Sequence, residues 1–415
     1  MLKSCSTLAL LCLLGAQGPV HACLFHAEGS APIDFASVAA ANNKFREENS
    51  HNAKSHTKIA INNVRVFDGY KLLPPSTVVI DGDVIGHDPS GAEQTIDGNG
   101  GVMLPGLMDT HCHPSNITHL QELTRWGVST AMVMACYFPE ACHSLQNQTT
   151  LTDVVLGSVP ASTPGSANGN LTQSVNPSPN VLVANESQAV PWVDSQVAWG
   201  ADFIKLIADT PGLDQPTLDA LVSESHRLQK RVVCHATSLS AYEQAVTAQV
   251  NQIYHAPLDK PINSTLIATI LQQGQISAPT LTIMQAFAQL LGTDYTVARE
   301  TVTLLHAAGV PILAGTDANH QAGIPVQPPF GSSLHLELEL LVDAGLSPAE
   351  ALRAATSRAA AHWGLKDRGV IAPGMRADLL LIDGNPLQNI SATRNIQKIW
   401  LKGVEYTGPL ADAST

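Results

Sequence analysis

The sequence predicts an α/β fold, a (β/α)8 TIM barrel carrying a small β-sandwich built from the N- and C-terminal segments. Three observations predict it. Over 102–369, eight short apolar runs alternate with helical patterns, as parallel strands joined by helices require. On both sides, at 58–101 and 370–410, lie short β-type runs punctuated by turn dipeptides such as Asp81-Gly82 and Asp383-Gly384. Histidines, a lysine and an aspartate recur where the central runs end, and barrel enzymes gather their reactive groups at strand ends.

The first 22 residues read as a secretory signal. Lys3 gives a positive start, Leu8 to Leu14 an apolar core too short to span a membrane, and Val20 and Ala22 suit a cleavage site. Cys23 would then begin the mature chain; lipid attachment in a bacterium fits poorly with His21. Secretion is expected, periplasmic in a bacterium. Export permits disulfides. Cys136 and Cys142 are close enough to pair across a loop, whereas Cys112 and Cys234 flank candidate ligands and read as buried thiols. Asn-x-Ser/Thr sequons at Asn116, Asn147, Asn170, Asn185, Asn263 and Asn389 suggest a glycoprotein.

Residues 23–57 are an N-terminal arm of unclear structure, Ala-, Asn- and charge-rich, with a short helix as the alternative. From Lys58 the β-type runs 59–61, 64–67 and 77–80 begin the sandwich, and 377–382 and 396–401 complete it. The first barrel strand runs through Val102, Met103, Leu104, Leu107 and Met108 to His111. Further runs follow at 130–135, 153–159, 203–207, 232–234, 252–254, 276–279 and 311–314. The Pro-, Ser-, Gly- and Asn-rich stretch 160–188 reads as a long surface loop, of the kind that serves as an active-site lid. A single helix is predicted over 346–365, started by Ser347-Pro348-Ala349-Glu350.

A net charge of −13, with 22 Lys and Arg against 35 Asp and Glu, argues against nucleic acid and anionic membranes as partners. No second apolar run is long enough to span a membrane. A small-molecule substrate remains, and a homo-oligomer is left open.

On a strand, residues i and i+2 share a face, so His111 and His113 aim two imidazoles at one point. The fourth run holds Lys205, the fifth ends in His235, the sixth in His255 and the eighth in Asp317. Imidazole is the commonest protein ligand for zinc-like metals. A lysine inside an apolar strand has an ordinary explanation, pairing with an acid such as Asp209.

The run from Pro105-Gly106-Leu107-Met108-Asp109-Thr110-His111-Cys112-His113 resembles the metal-dependent amidohydrolase superfamily. So do Gly200-Ala201-Asp202-Phe203-Ile204-Lys205, Gly315-Thr316-Asp317-Ala318 and 371–379. The nearest branch holds imidazolonepropionase, prolidase-like carboxypeptidases and ochratoxin-type amidases. The resemblance implies two divalent metals, usually zinc. His111, His113 and Asp317 would bind one, His235 and His255 the other, and Lys205, carboxylated to a carbamate, would bridge them. A hydroxide bridging the metals would attack an amide carbonyl, Asp317 would shuttle the proton, and His255 or Tyr254 would touch the oxyanion. The implied enzyme is a hydrolase acting on C–N bonds, carboxypeptidase- or dipeptidase-like, with a dipeptide or N-acyl amino acid as substrate. A cyclic amide or lactone hydrolase on the same metals is the first alternative. A non-catalytic binding protein on the same fold is the second, and six filled ligand positions weigh against it. Tyr254 and Asn319 are candidate substrate contacts, Asn319 being equally suited to cap a turn. His119, Arg125 and His143 are candidates to hold a substrate carboxylate, while His335 and Glu337 read as structural.

Overall fold

The computed structural model describes residues 34–50, 57–321 and 324–411. The expected signal at 1–22 lies outside them. The arm contains a helix, Phe35–Asn49, capped by Asp34. Asn42 on this helix donates to Ser144 Oγ (2.9 Å) and accepts from Ile117 N (3.2 Å), which ties it to the helices Pro139–Ser144 and Ile117–Arg125.

Strands β1 (Ile59–Val66), β2 (Ser76–Asp81), β3 (Val84–Gly86), β4 (Gln94–Asp97) and β5 (Val102–Pro105) open the chain. β1 runs antiparallel to β2 and parallel to β4 and β5. Its alternation sends Ile59, Ile61, Val64 and Val66 into one buried cluster with Ile80 and Met103. A bulge at Asn62 and Asn63, where Asn63 takes φ 54°, keeps that alternation in phase.

Seven parallel strands follow in two sheets. β6 (Leu107–Cys112), β7 (Val128–Val133) and β8 (Asp153–Leu156) form one. β9 (Phe203–Ile207), β10 (Arg231–His235), β11 (Gln252–Tyr254) and β12 (Ile276–Ala278) form the other. A bridge between Gly157 and Phe203 joins the sheets on one side. On the other, Ile312 in the eighth run bridges to β12 at Ser277, and Ala318 just beyond that run bridges to β6 at Cys112. The pairings therefore run all the way round. Met108, Met132, Phe203, Val233, Tyr254 and Leu313 fill one apolar cluster on the shared face. Helices cover the other face.

β13 (Leu379–Ile382), β14 (Ile396–Leu401) and β15 (Val404–Glu405) return to the first strands, and β13 pairs antiparallel with β5 along its whole length. Both chain ends thus share one mixed sheet, in the order β15-β14-β13-β5-β1-β2-β3.

Three sequence expectations are corrected here. The apolar run from Val102 is two strands: 102–105 belongs to the terminal sheet and only Leu107 onward to the ring. Gly106 marks the break, because a Cβ there would lie 2.5 Å from Ser129 Cβ. The helix expected over 346–365 is two, Pro348–Ala354 and Ser357–Trp363. The carbonyls of Ala354 and Ala355 accept from Ala314 N (3.1 Å) and Met108 N (2.8 Å), so ring strands take the bonds a continuous helix needs. The stretch 160–188 is not a loose surface loop. Ala161 bridges Leu206 beside β9, and Ser166 caps the helix Ala167–Val175.

Candidate metal centre

The six residues expected as ligands meet at one end of the ring, where β6, β9, β10, β11 and the eighth run terminate. All six line a cavity of about 50 Å³. Asp317 Oδ1 lies 2.9 Å from His113 Nε2 and 3.2 Å from His111 Nε2. One ligand atom from each of these three residues falls within 4.8 Å of the others. Across the opening, the rings of His235 and His255 stand 4.4 Å apart, and His255 is 5.0 Å from His111. Lys205 is buried, with Nζ 4.6 Å from the centre of the Tyr254 ring. A void of about 790 Å³, bordered by Arg231 and Trp363, opens beside the opposite ends of β8 to β10. It holds none of the six, so the smaller cavity is the candidate centre.

Local backbone geometry aims these side chains. His255 (φ 72°) and Asp317 (φ 58°) both sit in the left-handed region, which costs a non-glycine residue about 1 kcal/mol or more and is characteristic of functional sites. Gly315 lets the eighth run press against β6, since a Cβ there would meet His111 Cβ at 2.9 Å. Asp109 clasps the same two segments. Its carboxylate accepts from His111 N (3.1 Å), Thr316 N (3.1 Å) and Thr316 Oγ1 (2.6 Å).

Electrostatics suit metal ligation. Burial, reinforced by the Lys205 charge, pushes His111 and His235 down to about 3, and burial beside His235 holds His255 well below the usual histidine range. The rings are therefore neutral at physiological pH, as ligation requires. Burial works against ionised Asp317, but His111 and His113 outweigh it and hold the carboxyl well below its ordinary value. His111 Nδ1 is buried without a hydrogen-bond partner, and two imidazole nitrogens crowd one carboxylate oxygen. Nitrogen-rich donors with one carboxylate fit a divalent cation such as zinc.

The secondary candidates divide. Tyr254 is fully buried and its hydroxyl donates to the Thr110 carbonyl (2.6 Å), so the expected contact with an oxyanion is not offered. Asn319 lines the cavity, but its amide caps the turn after Asp317, donating to Asp317 O (2.9 Å) and accepting from Gln321 N (3.2 Å). His119 accepts from Ser115 N (3.1 Å) and stacks on Phe330, His143 packs on Trp199, and Arg125 ends the helix Ile117–Arg125. None of those three lines the cavity. His335 and Glu337 are structural, as expected: His335 sits between Thr393 Oγ1 (2.9 Å) and the Trp126 carbonyl (3.0 Å), and Glu337 receives the first amides of the helix Leu281–Leu291.

Sequence reasoning passed over Asn168 and Gln321, which join the wall from 160–188 and from the turn after Asp317. It weighed Asp209 only as a partner for Lys205. The structure puts Asp209 Oδ1 3.9 Å from His235 Nε2, with Asn168 Nδ2 2.5 Å from its other oxygen. Two of these sit beyond strand ends already singled out, Asp209 four residues after Lys205 and Gln321 four after Asp317; nothing in the sequence marks Asn168.

A family profile described as "Amidohydrolase family" matches residues 202–405. An uncharacterized protein of Mycobacterium tuberculosis is 26% identical over 376 residues, 81% of this chain and 94% of that protein. An imidazolonepropionase of Cereibacter sphaeroides is 25% identical over 383 residues, 76% of this chain and 90% of that enzyme. A solved Xaa-Pro dipeptidase with methionine in its active site superposes with a TM-score of 0.74 at 21% identity, covering 85% of this chain and 100% of that one. At that identity the likeness speaks for the fold alone.

Proposed function

Because the chain belongs to the amidohydrolase superfamily, we propose that it is a secreted binuclear metallo-hydrolase that cleaves the amide C–N bond of a dipeptide or N-acyl amino acid. The observation that carries this reading is the convergence of His111, His113, Lys205, His235, His255 and Asp317 on one cavity. The ring is taken as a (β/α)8 barrel and the terminal strands as its sandwich, divided at Gly106.

One divalent cation, zinc by donor type, would sit with His111, His113 and Asp317. A second would sit with His235 and His255, and the Lys205 carbamate would lie between them. Cations held there would supply Lewis acidity for a substrate carbonyl and would lower the pKa of a bound water to about 7. The chain's own groups do the rest. Asp317, ionised and facing the opening, accepts the proton of the attacking water and returns it to the leaving nitrogen. Met134, Leu171, Ile207, Ile283 and Ile324 form an apolar wall for an acyl group. Among the described residues lining the cavity Lys205 is the one lysine or arginine, so the amides of Asn168 and Gln321 are left to receive a substrate carboxylate.

The likeness to an imidazolonepropionase favours a second reading, opening of a cyclic amide or lactone on the same site. Ring opening yields one product and dipeptide cleavage two, so product counting separates them.

The test is elemental mass spectrometry of protein purified without chelator, followed by a screen of N-acyl amino acids, dipeptides and cyclic amides. Two metal ions per chain and turnover are expected. No metal, and no activity after metal is added back, would leave a binding protein instead. Lys205→Ala is expected to lose most activity and part of the metal, with partial rescue by short carboxylates; full activity in that variant would rule out the bridging carbamate.

A further inference from the structure

Resting on the reading of His255 as a metal ligand, we propose that Thr280 is a positioning residue: its hydroxyl accepts the Nδ1 proton of His255 and fixes the ring in the tautomer whose Nε2 lone pair is free for the opening. Thr280 Oγ1 lies 2.8 Å from His255 Nδ1, and both residues are buried. Ligating histidines characteristically pass their second ring N–H to a fixed acceptor, which sets tautomer and orientation together.

The surrounding backbone is arranged to free that hydroxyl. Thr280 occupies the N-cap position of the helix Leu281–Leu291, where a threonine side chain ordinarily accepts from the first-turn amides. Here it makes no cap bond at all. Glu337, arriving from the helix Ser332–Asp343, does the capping instead. Its carboxylate accepts from Leu281 N (3.0 Å), Thr282 N (2.7 Å) and Thr282 Oγ1 (2.9 Å). A carboxylate at a helix N-terminus is also favoured by the helix dipole.

Thr280 further adopts φ 49° and ψ 48°, a left-handed conformation that disfavours a β-branched residue. A glycine or asparagine would hold that turn with less strain. Threonine is placed where its backbone is unfavourable and its usual capping role is filled by another residue. The bond to His255 is the function left for its side chain.

The experiment uses the full chain, stripped of metal by chelator, with ring-¹⁵N histidine. The tautomer of His255 is read by long-range ¹⁵N–¹H correlation, and its signal is assigned by its loss in His255→Asn. Wild type and Thr280→Ser should show the Nδ1–H form. Thr280→Val, equal in shape and equally β-branched, should shift to the Nε2–H form or a mixture. An unchanged tautomer in the valine variant, or an Nε2–H ring in wild type, overturns the proposal. The wild-type spectrum decides even if the valine variant fails to fold. Zinc competition against a chromophoric chelator gives the second readout. Thr280→Val should weaken one binding step by about 10- to 100-fold while Thr280→Ser stays near wild type, and equal affinities in all three would again overturn the proposal. Wild-type protein that takes up no zinc would overturn the metal reading alone, since the tautomer result stands without metal.

Discussion

His335 shows why a depressed histidine pKa does not by itself mark a site. Burial pushes this ring down to about 4, much as it does the rings at the opening. Both its nitrogens, however, are committed, to Thr393 Oγ1 and to the Trp126 carbonyl. At the opening the nitrogens crowd one another and Asp317. What separates a candidate ligand from a structural histidine here is an uncommitted lone pair; the sequence set His255, at a strand end, apart from His335, on a helical pattern, by position alone and showed neither ring's partners. His111 and His113 were legible because the two-residue period of a strand places them on one face. The His335 shift also has a consequence for stability. The folded state favours the neutral ring, so this contribution is fully present above the ordinary value of 6.5 and is lost as pH falls through about 4. Urea unfolding of metal-free protein between pH 6.5 and 4 should therefore be steeper in pH for wild type than for His335→Gln, by up to about 1.4 kcal/mol per pH unit for one proton. Parallel curves would show that the ring does not titrate in that window.

Elements were legible where their signal was local. Strand alternation around the ring, the turn dipeptides of the terminal strands and the Ser347–Glu350 capping box all lie within a few residues of what they specify. Breaks caused by distant partners were not. The division at Gly106 depends on Leu379 to Ile382, and the split before Ser357 depends on β6 and the eighth run. The sequons show the same effect from another side. Asn116, Asn185, Asn263 and Asn389 each accept a backbone amide at the start of a helix or 3-10 turn, so helix capping gives four of the six sequon asparagines a structural reason. Cys136 and Cys142 are bonded, closing a short loop; Ala135 and Tyr137, on either side of Cys136, line the cavity. The double variant Cys136→Ser/Cys142→Ser should stay folded and lose about 2 kcal/mol, the loop-closure value for so short a loop. With the wall loosened and the ligands untouched, KM should rise more than kcat falls. Loss of metal in that variant would show that the loop supports the ligands rather than the wall.

On the scale of the whole molecule, the ring is assembled from neighbours in sequence, while the terminal sheet is assembled from opposite ends of the chain. Periodicity exposed the first. The second was legible only as a similarity of texture at 58–101 and 370–410. Since β5 has β1 on one side and β13 on the other, a chain ending at Asp378 should accumulate in the insoluble fraction; a soluble, metal-binding truncation would show the ring to be self-sufficient. The same pairing sets a schedule during synthesis. Roughly 270 residues separate β5 from β13, and at about 5–20 residues per second the ribosome needs on the order of 15–50 s to supply them. Throughout that interval the apolar edge of Val102 to Pro105 waits without its partner, an exposed strand edge of the kind that chaperones shield.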